Sequence, residues 1–264
     1  MMTPLDFHLR FKARAPQLMW LLGAGASASA GIKTAWHMIW EFKRTIYCLE
    51  RKVAESRIPT LLDDSTRALI QSVLDQTKRY PAAETTEEYS AYFEKVRPSA
   101  DDRQKYIQEQ VRQGIPSRGH AGLAALMLAG QTKLVWTTNF DKMVEQAYGD
   151  LHRFSSNGGE LLTIALNNAD EARRGLNESS FPMLVKLHGD YQSKKLMNTT
   201  DELKAQDVEM RSALTRACGQ FGLIVVGYSG RDDSIMDALD GALNDPKNFP
   251  NGIFWIIRSD TKIL

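Results

Sequence analysis

Residues 17–32, QLMWLLGAGASASAGI, constrain the fold more than any other stretch, because they join a short apolar run to a loop of small residues. The apolar run, residues 18–22, has the length of a strand that is buried on both faces. Residues 23–27 are glycine, alanine and serine only, and the Ala/Ser segment after them is compatible with a helix that ends at Gly31. α/β proteins hold phosphate with this arrangement, since small side chains let the backbone approach the ligand and a helix N-terminus presents N–H groups.

Strand-like and helix-like segments alternate along the second half of the chain. Short apolar runs predict the strands, and segments with a broad apolar face predict the helices, including one over residues 200–220. Residues 150–180 are less regular and fit one short strand and one helix. The alternation predicts an α/β fold with a Rossmann-like, mostly parallel sheet and helices on both faces. Further strands are predicted at residues 133–136, 183–187, 222–226 and 252–257.

The segment between the first strand–helix unit and this alternating half has a different character. It is polar and charged, contains prolines between helical pieces, and shows no strand pattern. Thr85 with Glu88 and Ser99 with Asp102 resemble capping boxes that begin two of its helices. The predicted organisation is a single domain, 1–264, with its α/β core at about 15–53 and 119–258 and a helical insertion at about 54–117.

Composition narrows the classes of function. The net charge of +1 gives no global basic field for nucleic acid or for an anionic membrane, so we expect neither as a direct partner. No apolar stretch is long enough to span a bilayer and the N-terminus lacks a signal-peptide core, so we expect a cytoplasmic protein. The two cysteines, Cys48 and Cys218, cannot form a four-cysteine zinc site. We expect two buried thiols and no bound metal.

Four groups of small or polar residues each follow a predicted buried strand. They are GAGAS, TTNFD, HGD and GYSGRDD, in chain order. In a parallel sheet all of these strand ends lie at one edge, where ligands bind. We therefore expect the four groups to form a common pocket.

Each group also has a purely structural explanation. GAGAS can be a tight turn without a ligand, and Ala28 stands where the third glycine of G-x-G-x-x-G belongs. Asn139 and Asp141 suit the start of a helix, and Asp232 with Asp233 can cap the last helix. A lone histidine such as His188 is commonly a buried side chain bonded to backbone.

The four groups, in this order, resemble the SIR2-like domain, and most of all its bacterial antiphage-defence branch. The resemblance covers roughly residues 15–53 and 119–258 and implies NAD⁺ as the substrate. It places Asn139 at the nicotinamide ribose and makes His188 the catalytic histidine. It lets Asp141 either face the developing cation or fix its loop, and leaves Asp233 as an alternative to Asp232 on the ribose and adenine side. The residues that the resemblance assigns to NAD⁺ binding are Gly23, Ala24, Gly25, Ser27, Thr138, Asn139, Gly227, Tyr228, Ser229 and Asp232.

The chain departs from the sirtuin deacylases at three points. Lys33 to Trp36 replace the Asp-Phe-Arg loop that usually follows Gly-Ile, and Thr138 to Asp141 replace Gln-Asn-Ile-Asp. The four-cysteine zinc module that helps to form the acyl-lysine groove cannot be built from two cysteines. These departures favour hydrolysis of NAD⁺ to nicotinamide and ADP-ribose over deacylation.

The resemblance also implies a biological setting. In the antiphage branch such a domain is the toxic effector of an abortive-infection system and is joined to a sensor, so we expect a further region after Leu264. The expected activator is a partner or linked sensor, such as a short Argonaute protein or a nucleoside-triphosphatase, and we expect a homo-oligomer or a complex. Two alternatives stay open: an NAD- or ADP-ribose-binding sensor or assembly module without turnover, and an NAD-dependent protein deacylase.

Overall fold

The structure, a computed structural model, describes most of the chain. Two predictions fall partly on residues outside it, namely Gly189 and Asp190 of the HGD group and residues 200–207 of a predicted helix. The described residues are 2–85, 87–155, 159–164, 168–188 and 208–257.

Six strands form one sheet in the described part of the chain, and every neighbouring pair runs parallel. The predicted α/β class with a Rossmann-like parallel sheet is therefore confirmed. The five predicted strands are all present, and the region 150–180 supplies the sixth together with a helix. The strands are β1 Leu18–Leu22, β2 Leu134–Thr137, β3 Leu162–Ile164, β4 Met183–Lys186, β5 Gly222–Val226 and β6 Ile253–Ile256.

The strand order across the sheet is β3-β4-β2-β1-β5-β6. The strands β1, β2, β4 and β5 occupy the centre and are almost wholly buried, as apolar runs without polar alternation require when helices cover both faces. One face packs against the helices Ala169–Glu178, Val208–Cys218 and Asp233–Leu243. The other face packs against Arg118–Leu128 and Met143–His152. Phe7 and Phe11 of the first helix pack against residues of β1, β5 and β6.

The helix Ala35–Arg51 packs away from the sheet, in a second core that it shares with the insertion. Phe42 and Ile46 on this helix meet Ile70, Tyr92 and Phe93 from the helices that follow. Ala30, Ile32 and Met143 extend the same core towards the ends of β1 and β2. The α-helices of the described residues are Pro4–Arg14, Ala35–Arg51, Asp64–Thr77, Glu88–Val96, Ala100–Arg112, Arg118–Leu128, Met143–His152, Ala169–Glu178, Val208–Cys218 and Asp233–Leu243.

Candidate functional site

The four central strands end in one row. Lys186 of β4 pairs with Thr137 of β2. Leu22 of β1 pairs with Thr137 on one side and with Val226 of β5 on the other. The groups HGD, TTNFD, GAGAS and GYSGRDD begin at this row or within two residues of it, so the structure places all four strand ends at one edge of the sheet, as predicted.

The glycines of GAGAS and GYSGRDD pack the two loops against each other. The amide of Gly23 donates to Val226 O at 3.0 Å, and that of Gly25 donates to Gly227 O at 2.8 Å. A Cβ added to Gly23 would lie 2.4 Å from Tyr228 Cα, and one added to Gly227 would lie 2.2 Å from Ala26 N. These glycines therefore allow a close approach between backbones, and a role in holding phosphate stays a prediction for Gly23 and Gly25.

The loop after Gly23 is a 3₁₀ helix, Ala24–Ala30, rather than an α-helix. It ends at Gly31, as the sequence predicts, with that residue in the left-handed region at φ 84°. Gly25 is exposed and Ala24 is half-buried. The outer side of this loop is therefore open to a ligand, although the amide of Gly25 already donates to Gly227 O.

Replacing Gly227 with alanine should destabilise the fold more than the same change at Gly130. Both residues have a left-handed backbone, at φ 65° and 68°, which alanine adopts with strain. At Gly227 the added Cβ would also clash with the backbone of the other loop, whereas nothing lies within 4 Å of a Cβ built on Gly130. We expect Gly227→Ala to lower the free energy of unfolding, measured in urea, by more than about 1 kcal/mol, because alanine at an incompatible site costs more than the about 0.4–1 kcal/mol that it gains at a compatible one. Equal losses in the two variants would contradict the crowding argument.

Asn139 is buried at the end of β2 and offers one unused acceptor. Its Nδ2 donates to Gly23 O and to Ser27 Oγ, both at 3.1 Å. Its amide N donates to Thr137 Oγ1 at 3.0 Å. Its Oδ1 is buried and has no hydrogen-bond partner among the residues that the structure describes. Since buried polar atoms are nearly always paired, this oxygen is the atom of the site that most needs a donor.

His188 is hydrogen-bonded to Asp232 at this edge of the sheet. His188 Nε2 lies 2.5 Å from Asp232 Oδ2, and both side chains are largely buried. The bond joins the loops after β4 and β5, which β2 and β1 separate in the sheet. When Nε2 donates to the carboxylate, Nδ1 is the ring nitrogen that carries the lone pair.

Asp232 serves two purposes at once. Its Oδ1 caps the helix Asp233–Leu243 by accepting from the amides of Ser234 and Ile235, as the sequence predicts. Burial raises the pKa of Asp232, but the hydrogen bond from His188 and those from Ser234 and Ile235 outweigh it and bring this pKa below its ordinary value. The carboxylate is therefore ionised in the neutral range and holds the ring of His188 in place.

Asp141 is occupied within its own loop. It is buried, and its Oδ1 accepts from the amide of Met143 at 3.0 Å, where the next helix begins. Its main-chain oxygen accepts from Lys186 Nζ at 2.6 Å. Of the two roles left open by the sequence, these contacts match the fixing of the loop.

The other predicted residues lie at the same edge with different exposure. The amide of Thr138 donates to Leu22 O at 3.0 Å. Ser27 is buried against Asn139, whereas Ser229 is exposed. Tyr228 is buried, its hydroxyl lies 3.5 Å from Asp232 O, and burial raises the pKa of its hydroxyl.

Sequence reasoning missed the buried ion pair beside this site. Lys186 Nζ lies 2.8 Å from Glu145 Oε1, and the side chain of Lys186 is 1% exposed. Its signal in the sequence is a lysine inside MLVKL, an otherwise apolar strand. Sequence reasoning also gave Asp232 to the ligand and did not pair it with His188.

Other features of the chain carry less weight for function. Cys48 and Cys218 are free, buried thiols, as predicted, and burial raises the pKa of Cys218 to about 12. Within the described ranges, no group of three or more His, Cys, Asp or Glu is placed to hold a metal, and no helix is both long and apolar enough to cross a membrane. Clefts of about 310 and 250 Å³ lie beside Arg211 and beside Tyr106, away from the strand ends. The assignment of the candidate site is therefore based on its polar groups and not on either of these clefts.

One comparison with known proteins gives a match. Residues 133–263 match the family model of the SIR2-like domain. The matched region contains TTNFD, HGD and GYSGRDD, whereas GAGAS on β1 lies outside it. No curated protein matches the chain. The second half of the chain is thus similar to SIR2-like domains, and the first half completes the sheet and the row of strand ends.

Proposed function

We propose that this protein hydrolyses NAD⁺ to nicotinamide and ADP-ribose. The match of residues 133–263 to the SIR2-like domain supports NAD⁺ as the ligand. The observation that carries the proposal is the buried Oδ1 of Asn139, which has no partner among the described residues and lies one strand away from the Asp232-bound His188. Both residues stand two positions beyond the paired residues Thr137 and Lys186, and adjacent strands are about 4.8 Å apart.

Asn139 fits a ribose hydroxyl. Its amide orientation is fixed, because Nδ2 already donates to Gly23 O and Ser27 Oγ. The opposite atom, Oδ1, can only accept, and a hydroxyl group is a donor. Leaving such an acceptor unpaired costs about 1–3 kcal/mol, which binding of the ribose would recover.

The reaction needs little acid catalysis. The bond between C1′ of the ribose and the pyridinium nitrogen breaks, and nicotinamide leaves as a neutral molecule with the electron pair. Water forms the new bond to C1′ and loses a proton. We assign this proton to His188 Nδ1, since Nε2 is held by Asp232. The net products are nicotinamide, ADP-ribose and one proton.

The remaining residues have supporting parts in this proposal. Asp232 orients His188, and Asp141 fixes the loop that carries Asn139. We assign the pyrophosphate to the open side of the loop at Ala24 and Gly25, where small side chains leave room.

The proposed biological role rests on the resemblance of the four residue groups to the antiphage-defence branch. We propose that NAD⁺ hydrolysis makes the chain the toxic effector of an antiphage abortive-infection system, switched on by a linked sensor or by a partner such as a short Argonaute protein. The deacylase alternative is weaker because two buried cysteines cannot build the zinc module. The sensor alternative shares the ribose site and differs only in turnover.

The test is NAD⁺ turnover by the full chain, alone and with its activating partner, followed by chromatography of nicotinamide and ADP-ribose. Asn139→Ala should lower the rate at least about tenfold, since one hydrogen bond to substrate is lost. Asn248→Ala is the matched control, because its Nδ2 donates to Ala242 O at 2.8 Å, remote from the site. Tight binding of NAD⁺ without turnover by the activated complex would establish the sensor instead. Deacetylation of an acetyl-lysine peptide would establish the deacylase.

A further inference from the structure

Lys186 is a fully buried cation directly beneath the candidate site. It is the last residue of β4, and its side chain points to the face that the helix Met143–His152 covers, as does that of Leu184. Its ammonium lies 2.6 Å from Asp141 O and 2.8 Å from Glu145 Oε1. A lysine is almost never buried without a partner, so these contacts account for its presence in an apolar strand.

Glu145 supplies the opposite charge from the first turn of that helix. Its side chain is 19% exposed, and it faces Lys186 rather than solvent. Burial raises the pKa of Glu145, and Lys186 works against that rise. The ion pair thus ties β4 to the helix that follows β2.

The bond to Asp141 O bears on the loop that carries Asn139. This loop is fixed at its start by Thr137 Oγ1, which accepts from the amide of Asn139, and at its end by Asp141 Oδ1, which accepts from the amide of Met143. Lys186 adds a hydrogen bond that ties the loop to the neighbouring strand β4, in register with Thr137. Two residues further on, the same strand end carries His188.

We propose that Lys186 is a positioning residue, which holds the Asn139 loop against the strand end of His188 and so sets the geometry between these two side chains. The inference rests on the proposed function for its consequence in ligand binding. Lys186 touches no substrate atom, because its side chain is fully buried and its ammonium contacts Asp141 and Glu145.

The test uses two variants, since Lys186→Met alone leaves the buried Glu145 carboxylate without its cation and lowers stability. In Lys186→Met/Glu145→Gln that uncompensated charge is gone, while the donor to Asp141 O is still missing. Lys133→Met is the matched control, because Lys133 is half-buried beside the opposite end of β2, over the ring of Phe181. Urea unfolding should show that the double variant recovers most of the stability lost in the single one.

The first readout needs no ligand. Amide hydrogen exchange at Asn139 and Met143 should be at least about tenfold faster in the double variant than in the wild type, as expected for the loss of a charge-assisted hydrogen bond. The amide of Leu223, which donates to Gly252 O on β6's side of the sheet, should be unchanged, as should all three amides in Lys133→Met. Unchanged exchange at Asn139 and Met143 would overturn the proposal.

The second readout is the affinity for ADP-ribose by calorimetry. The double variant should bind at least about tenfold more weakly than the wild type, and Lys133→Met should bind normally. Normal affinity in a double variant with faster exchange would overturn the positioning role. If the wild type itself bound neither ADP-ribose nor NAD⁺, the proposed function would fail, and the exchange result would still decide whether Lys186 holds the loop.

Discussion

Replacing His188 with alanine is expected to lower kcat for NAD⁺ hydrolysis by about 10²–10⁴-fold, the usual contribution of a general base. Asp232 holds Nε2 of the imidazole, so Nδ1 is the ring nitrogen to which we assign the proton. KM should change little, since Asn139 and the glycine loops remain in place. Release of nicotinamide with protein in excess over NAD⁺ measures the chemical step directly.

Asp232→Asn tests the orientation of the ring separately. The amide keeps the size of the carboxylate and removes its charge, so the imidazole loses the anion that stabilises its protonated form. We expect the kcat of Asp232→Asn to lie between that of the wild type and that of His188→Ala. Asp233→Asn is the control, because Asp233 is the exposed neighbour in the same helix turn. Equal rates in His188→Ala and the wild type would remove His188 from the reaction.

The sheet could be predicted from the sequence because its strands are local signals. β1 and β5 have their predicted bounds, since a glycine directly follows each apolar run. β2 begins and ends one residue later than predicted, because Thr137 continues the ladder to Leu22 and Lys186. The parallel arrangement then brings the four strand ends together without further information.

The hydrogen bonds and packing within the site could not be predicted, because they depend on contacts between distant parts of the chain. His188 and Asp232 are 44 residues apart and meet only through the path of the loop after β5. Gly23 and Gly227 fit a ligand-binding loop by sequence, and only the structure shows that each leaves room for the other loop. Small residues signal a close approach and do not reveal whether a ligand or a backbone makes it.

The predicted capping box of Thr85 and Glu88 shows the same limit. Ser99 caps its helix as predicted, by accepting from the amide of Asp102. The helix Glu88–Val96 has no side-chain cap at its N-terminus. Glu88 is turned instead towards Lys43 on the helix Ala35–Arg51, and both side chains are almost fully buried. One carboxylate oxygen of Glu88 therefore pairs with Lys43 and the other accepts from the amide of Glu84, and neither forms the predicted cap.

That ion pair leads to the second large effect: Lys43→Met is expected to lower the free energy of unfolding by about 3–5 kcal/mol. The substitution leaves the Glu88 carboxylate buried without its cation, and it removes the donor to Gln71 Oε1 at 2.6 Å. It also removes the ammonium that lies 4.5 Å from the centre of the Trp40 ring and 5.2 Å from that of Tyr92. Urea unfolding followed by tryptophan fluorescence and by circular dichroism measures the loss.

Removing both charges separates the cost of an unpaired charge from the cost of lost packing. Lys43→Met/Glu88→Gln leaves no buried charge, and the glutamine can still accept from the amide of Glu84. We expect this double variant to recover most of the loss, since replacing both members of a buried pair is often close to neutral. Arg79→Met breaks an exposed ion pair with Glu50 on the surface of the same helical region. It should lower the free energy of unfolding by no more than about 1 kcal/mol. A double variant as unstable as Lys43→Met would show that Lys43 acts through its contacts with the aromatic rings and Gln71, and that the pairing with Glu88 adds little.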